Sequence, residues 1–240
     1  MATKTTKKPA KKTTAKSAKK SATARSGGIK AAGGLAGLGE YRRKRDFSRT
    51  AEPVGGASKS GVSALRYVIQ KHAATSLHFD LRLELDGVMK SWAVPKGPSF
   101  DPSVKRLAMQ VEDHPIEYNT FEGTIPKGEY GGGTVMLWDR GVYTYWQADT
   151  DPPARLREGY AKGDFKFVVR GKRLEGSWVL VRIRRGKPDK PQWLLIKHDD
   201  EFARPGYDIV AEEERSVATG RTMAEIAKGG APARRGHRRN

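Results

Sequence analysis

From Leu77 to Leu85 the chain alternates without a break, LHFDLRLEL, with Leu77, Phe79, Leu81, Leu83 and Leu85 set between His78, Asp80, Arg82 and Glu84. A period of two predicts a β-strand with one apolar face buried, whereas a helix would scatter those five apolar side chains around its axis. Such a strand needs partners, so the chain is committed to a sheet. The other face carries an imidazole, a carboxylate and a guanidinium in one row. Residues two apart on a strand are roughly 6.6 Å apart at the backbone, so His78 and Asp80 can lean toward a single ion. A second imidazole, His72, lies upstream, across Ala73, Ala74, Thr75 and Ser76, whose small and polar side chains suit a turn that folds back. The plain alternative is a surface strand whose polar face meets water.

Other segments read as strands at 65–70, 88–94, 106–112, 134–138, 142–146, 165–170, 177–183 and 193–197. Between them stand turn signals: Asp86-Gly87, the Pro-Lys-Gly-Pro run at 95–98, the Gly-rich run at 126–133, and Arg-Gly-Lys-Pro at 185–188. About nine strands with almost no helical periodicity predict an all-β, mainly antiparallel fold. A closed or partly closed β-barrel is favoured, because closure removes sheet edges. Short peripheral helices are expected near 154–161 and after Thr222, where Thr222-Met-Ala-Glu225 has the pattern of a capping box.

The net charge of +19 is concentrated at the ends of the chain. Residues 1–40 hold nine Lys and one Arg against Glu40, and residues 228–240 hold one Lys and four Arg against no acid. Segments so poor in apolar residues cannot offset the entropy of ordering, so 1–40 and 228–240 are expected to be disordered basic tails flanking a domain over 41–227. Within that domain the segment from Tyr41 is expected to be an arm that docks through Phe47, Arg45 and Asp46. Basic tails bind polyanions by counterion release, which makes DNA the expected partner. There is no cysteine, so disulfides and thiolate ligands are excluded. No apolar run reaches the ~20 residues that span a membrane, and no signal peptide opens the chain. The expectation is a soluble cytoplasmic protein, associated with the nucleoid and without a membrane partner.

Three of the five His fall between residues 72 and 114, the third being His114 in VEDHP. His198 is expected to be structural and His237 to sit in the tail without a role. Two His and an Asp suit Mn²⁺, Zn²⁺ or Fe²⁺, and three protein ligands leave coordination positions open. Arg82, Lys96, Arg106 and Arg45 are cations fixed in the body, and Arg grips phosphate with paired hydrogen bonds. Together they favour phosphoryl chemistry. Two lookalikes fail: the run 128–133 lacks the Lys-Ser/Thr of a P-loop and reads as a hairpin turn, and Glu84-Leu85-Asp86-Gly87 has Glu where a nucleotidyl-lysine motif needs Lys. His78, Asp80 and His114 also fit a non-haem Fe(II) oxygenase, and a non-catalytic DNA-end-binding partner of a separate ligase is a third reading.

The stretches HAATSLHFDLRLELDGVMKSWAVPKGPS and KRLAMQVEDHPIEYNTFEGTIPKGEYGGGTVMLWDRG closely resemble the 3′-phosphoesterase domain of bacterial ATP-dependent DNA ligase D, a repair ligase of non-homologous end joining. The resemblance runs from about Arg45 to about His198. It implies a β-barrel enzyme that trims 3′ ends in two steps, a diesterase step releasing a terminal ribonucleoside and a monoesterase step exposing the 3′-hydroxyl. Mn²⁺ is the implied metal, with Co²⁺ or Zn²⁺ as substitutes, on His72, His78 and Asp80. The resemblance further assigns phosphate binding to Arg82 and His114 and an active-site role to Tyr118. It adds Glu112 to the catalytic set, and Arg45, Asp46, Glu52, Lys96 and Arg106 to the substrate-binding set. On this reading His114, if protonated, could also donate to the leaving oxygen, and an Arg82→Ala variant is expected to lose phosphate binding while still taking up metal. Ligase and polymerase domains are not encoded in these residues, so a stand-alone form working with a separate ligase and end-joining factors is expected.

Overall fold

The computed structural model describes residues 1–2, 36–56, 64–184 and 191–229. The turn expected at 185–188, His237 and most of both basic tails lie outside those residues.

Nine strands form one antiparallel sheet: β1 (Leu65–Ala73), β2 (Leu77–Leu85), β3 (Val88–Val94), β4 (Arg106–His114), β5 (Gly123–Ile125), β6 (Gly133–Tyr145), β7 (Asp164–Gly171), β8 (Glu175–Arg182) and β9 (Gln192–Lys197). The order β1-β2-β3-β4-β9-β8-β7-β6 returns to β1 through the β1–β6 pairing, which closes an eight-stranded barrel. β5 is appended to the first residues of β6, on the side that β7 occupies further along. Closure leaves no long edge for another chain to extend.

The inward face buries the apolar positions expected from the alternation, with one adjustment. Phe79, Leu81, Leu83 and Leu85 join Tyr67, Ile69, Trp92, Trp138, Phe165, Trp178 and Trp193 in the main core. Leu77, expected on the same buried face, is 49% exposed, because it stands at the rim where β2 begins. Ala73–Ser76, read as a turn, divides: Ala73 ends β1, and residues 74–76 make the hairpin, so His72 and His78 become cross-strand partners.

The two segments read as separate strands at 134–138 and 142–146 are one strand, β6. Asp139, Arg140 and Gly141 resemble a turn in sequence. Asp139 is instead fully buried, accepting hydrogen bonds from the Tyr67 hydroxyl (2.7 Å) and from the backbone N–H groups of Lys172, Arg173 and Leu174. A β-bulge between Ile69 and Gln70 lets β1 follow it.

Helix α1 (Gly39–Arg43) follows a 3-10 turn at Ala36–Leu38; α2 (Pro152–Lys162), α3 (Ile209–Glu212) and α4 (Met223–Ala227) come later. The side chain of Asp151 caps α2 through the Ala154 N–H, and Gly163 ends the helix in the left-handed region. The capping box expected at Thr222 and Glu225 is formed. The packed body begins before residue 41: Leu38, in the segment read as tail, is 1% exposed and packs with Tyr41, Val88, Tyr118 and Phe121.

Candidate metal centre

Polar residues of β1 and β2 share the outward face of the barrel wall, yet that face is not wet. Gln70, His72, Asp80, Arg82, Ser91 and His114 are all buried. They are roofed by the arm of residues 36–56, by a 3-10 helix at Ile116–Thr120 and by the loop between β5 and β6. The plain reading of a strand face meeting water is therefore excluded.

The register puts His72 opposite His78 and Gln70 opposite Asp80. His72 Nδ1 lies 3.4 Å from Asp80 Oδ2, and His78 Nε2 lies 3.6 Å from Asp80 Oδ1. Ligand atoms of the three residues fall within 4.8 Å of one another. The remaining ring nitrogens face carbonyls: His72 Nε2 donates to Gly131 O and His78 Nδ1 to Ser76 O, each at 2.9 Å. A carbonyl can only accept, so the proton of each ring that faces away from Asp80 is fixed, and the nitrogen beside Asp80 is the one free to release its proton and bind an ion. Metal-binding His are held in this way, with an outer carbonyl fixing the tautomer, and the donor set of two nitrogens and a carboxylate fits a borderline divalent ion.

Burial by itself would push the Asp80 carboxyl up, but Arg82, His72 and His78 outweigh it and hold the group far below the usual carboxylate range. Asp80 is thus ionised. Arg82, itself buried, donates from Nε to Gln70 Oε1 (2.7 Å), from Nη1 to Ser91 Oγ (3.0 Å) and from Nη2 to Asp80 Oδ2 (3.0 Å). Those bonds use three of the five N–H groups of a guanidinium, leaving one on each terminal nitrogen. Since Arg82 holds a cluster member directly, the expected separation between losing phosphate and keeping metal in Arg82→Ala does not follow from this geometry.

His114 ends β4. Its Nδ1 donates to Glu112 O (2.9 Å), and its Nε2 accepts from Arg45 Nη2 (3.2 Å). Burial first, then the charges of Arg82 and Arg45, hold this imidazole well below its ordinary value. At rest His114 is therefore a neutral acceptor, and the protonated form on which its expected donation depends is not the one held here. With both nitrogens engaged, His114 is not a third partner for His78 and Asp80, and the oxygenase triad is not assembled.

Arg45 also donates to Glu52 Oε1 (2.8 Å) and Glu112 Oε1 (3.2 Å) and lies 3.9 Å from the Tyr41 ring centroid. Tyr118 donates from its hydroxyl to Glu52 (3.0 Å), and Arg82 stands 4.8 Å from its ring centroid. The structure thus brings together His72, His78, Asp80, Arg82, His114, Tyr118, Glu112, Arg45 and Glu52. Lys96 and Arg106 stand apart from the hydrogen-bonded group. Lys96 is exposed in the turn that follows β3, where Gly97 N–H donates to Val94 O, and Arg106 opens β4 opposite Leu195 of β9. Asp46 is exposed and accepts from Ser48 N–H and Oγ, which makes it a turn cap. His198 is half-buried and bonded to Ser177 Oγ, as a structural His would be.

The sequence reading missed Gln70, Ser91, Lys44 and the loop carbonyl of Gly131. Gln70 donates to the carbonyls of Tyr118 and Phe121 while accepting from Arg82, so it ties the roof to the guanidinium. The Gly-rich run is a hairpin loop, as expected, but one that orients His72. At Gly133, with φ of 148°, a Cβ would fall 2.3 Å from Ala73 O, so only glycine permits this approach.

The fold and cluster define a class of protein: an antiparallel barrel that sets a two-His, one-Asp group with the spacing of metal ligands beside a buried guanidinium. Residues 70–182 match the family model of the DNA Ligase D 3′-phosphoesterase domain, and the body of this chain belongs to that family. The Multifunctional non-homologous end joining protein LigD of Pseudomonas aeruginosa is 50% identical over 208 residues, 83% of this chain and 24% of that protein. The Multifunctional non-homologous end joining DNA repair protein LigD of Mycobacterium tuberculosis is 44% identical over 145 residues, 60% of this chain and 18% of that protein. The LigD of Mycolicibacterium smegmatis is 40% identical over 169 residues, 70% of this chain and 21% of that protein. The chain therefore spans at most about a quarter of these curated relatives. The family match takes in the cluster, Arg82, Lys96, Arg106, Glu112, His114 and Tyr118, while Arg45, Asp46 and Glu52 precede it. Among the described residues no helix is long and apolar enough to cross a membrane.

Proposed function

We propose that this domain hydrolyses phosphoesters at DNA 3′ ends, first releasing a terminal ribonucleoside and then removing the 3′-phosphate, to ready ends for ligation in non-homologous end joining. The observation that carries the reading is the pair of carbonyl-locked imidazoles meeting an ionised Asp80 whose other neighbour is Arg82. His72, His78 and Asp80 would hold the divalent cation, Mn²⁺ foremost and Co²⁺ or Zn²⁺ as substitutes. Such an ion supplies Lewis-acid polarisation of a phosphoryl oxygen and neutralises charge as it develops.

The chain's own residues supply the rest. Asp80, Glu52 and Glu112 are balanced by Arg82, Arg45 and Lys44, so a bound divalent cation leaves an excess of two positive charges, matched to a phosphate dianion. Arg82 offers phosphate its two unused N–H groups from a guanidinium that Gln70 and Ser91 hold still, so little reorganisation is needed. A phosphate arriving beside His114 offsets the neighbouring guanidinium charge and raises its proton affinity, turning Nε2 into a donor to phosphate or leaving oxygen. Tyr118 keeps its proton, because burial lifts the phenol well above its ordinary value, and it orients through Glu52. Lys96 and Arg106 meet the DNA strand. A separate ATP-dependent ligase and end-joining factors are the proposed partners.

The test is a labelled primer–template ending in one ribonucleotide, incubated with Mn²⁺ and resolved for 3′-phosphate and 3′-hydroxyl products. Both products should form, and His78→Ala should abolish both along with Mn²⁺ uptake. No cleavage with any divalent metal, with DNA still bound, would leave only an end-binding module.

A further inference from the structure

The barrel face that carries the cluster continues beyond it. Val68 of β1 pairs with Arg82 of β2 on one side and with Arg140 of β6 on the other. Cross-strand partners share a face, so the two arginines belong to one row, their Cα atoms two inter-strand spacings or roughly 10 Å apart. Between them Val68 is covered by Ile116 and by Val217 and Ala218 of the segment after α3, which make an apolar ridge. Past the ridge is an open cavity of about 750 Å³, lined by Arg140, Lys172, Arg173, Glu213, Arg215 and Ser216 among others.

Its charges are unequally used. Arg173 is committed to structure: it donates to Glu213 and to the carbonyls of Trp138 and Arg215, so Glu213 is already neutralised. Arg140 and Lys172 are exposed, and among the described residues neither side chain has a hydrogen bond or an ion pair. Arg215, 64% exposed, reaches Gly220 O and makes only a 3.6 Å pair with Glu225. Two cations, Arg140 and Lys172, therefore face one concave space with no anion paired to them, and Arg215 beside them is held only by the long pair with Glu225, an arrangement that repels itself until a polyanion enters.

We propose that this cavity is a second phosphate subsite, taking the sugar–phosphate backbone of the same DNA whose 3′ end lies at His72, His78 and Asp80. The inference rests on the 3′-end phosphoesterase reading above. An offset of roughly 10 Å between the two arginines places the second site within a few nucleotides of the 3′ end along one strand. The cavity is open and presents charge on long side chains with no cage of donors around a point, which suits a phosphodiester passing along a surface. The subsite makes the enzyme sense the length of chain behind the end, without reading its sequence.

The test compares the full-length protein with an Arg140→Glu/Lys172→Glu variant, two exposed positions whose side chains hold nothing in place. Binding to a primer–template is measured across a salt series in chelator, and turnover is measured on that duplex and on a dinucleotide carrying a 3′-phosphate. The variant should lose about 2 from the slope of log affinity against log salt, with KM raised on the duplex, kcat unchanged, and the dinucleotide processed as by wild type. An unchanged duplex affinity and slope would overturn the subsite. An equal loss on the dinucleotide would overturn it too, since a site for small phosphates needs no backbone. Absence of turnover in the wild type would instead sink the phosphoesterase reading, while the chelator titration still decides the cavity.

Discussion

At Arg82 three donors are fixed to Gln70, Ser91 and Asp80 in a place closed to water, so removing the guanidinium strands a carboxylate and two polar groups at once. Breaking a buried charge pair from one side costs about 3–5 kcal/mol, so Arg82→Ala should lower the urea midpoint sharply as well as end activity. Arg82→Lys should recover part of the stability, because it restores a charge beside Asp80. Turnover should stay lost, since an ammonium cannot present the planar pair of N–H groups left on the guanidinium. Denaturation and 3′-phosphatase assays on the same preparations separate the effects, and wild-type turnover in Arg82→Lys would contradict the role given to the fork. His78, Asp80 and Arg82 were legible because strict alternation admits one assignment of faces. Gln70 and Ser91 were not, for a neutral polar residue on a strand looks the same whether it meets solvent or a buried guanidinium. The Gly131 carbonyl leaves no side-chain signal, and the glycines around it show only that a turn is needed.

Among the elements, the barrel's strand boundaries followed from hydrophobic period and turn chemistry, except where tertiary contacts overrode them. Asp139 inside β6 imitated a turn because its partners, Tyr67 and the backbone at 172–174, are far away in sequence. The segment from Glu213 to Arg221 had no periodicity to read, yet it is pinned across the outer face of β6: Val217 N–H donates to Leu137 O, and Glu122 accepts from Leu137 N–H, Thr219 and Arg221. Burial raises the affinity of Glu122 for a proton, but hydrogen bonds from Ser216, Thr219, Leu137 and Arg221 outweigh it and depress its pKa. A depressed folded-state pKa contributes stability that is present above the unfolded value, about 4.3 for Glu, and is lost as pH falls through the folded value. Glu122→Gln should therefore be less stable than wild type near neutrality, and the gap should close as pH drops below that value. Urea unfolding of both proteins along a pH series checks this; a gap that stays constant into acid would show that the carboxylate charge is not what pins the segment.

On the scale of the whole molecule, charge and packing are partitioned along the chain, and the boundary between them decides how it can be trimmed. Composition put the change at residue 40, since the run of small residues, Ala and Gly above all, continues almost to there. The structure moves it: Leu38 is 1% exposed against Tyr41, Val88 and Tyr118, and two leucines in a run of Ala and Gly carry too little periodicity to be noticed. Residues 1–35 hold nine Lys and Arg25 with no acid, so their removal should weaken DNA binding chiefly at low salt and flatten its salt dependence, with the melting temperature unchanged. Cutting after residue 40 removes the same cations but also withdraws Leu38 from beneath Tyr41, at a cost of about 2 kcal/mol. Tyr41 carries Arg45 on its ring, and Arg45 holds Glu52, Glu112 and His114, so the longer deletion should lower turnover as well as the melting temperature. Calorimetry, duplex titration and the 3′-end assay on the two truncations give the comparison. Equal melting temperatures and equal turnover would mean that the arm keeps its place without the residues that precede Tyr41, whereas low-salt affinity that survives the shorter cut would assign DNA binding to the barrel surface alone.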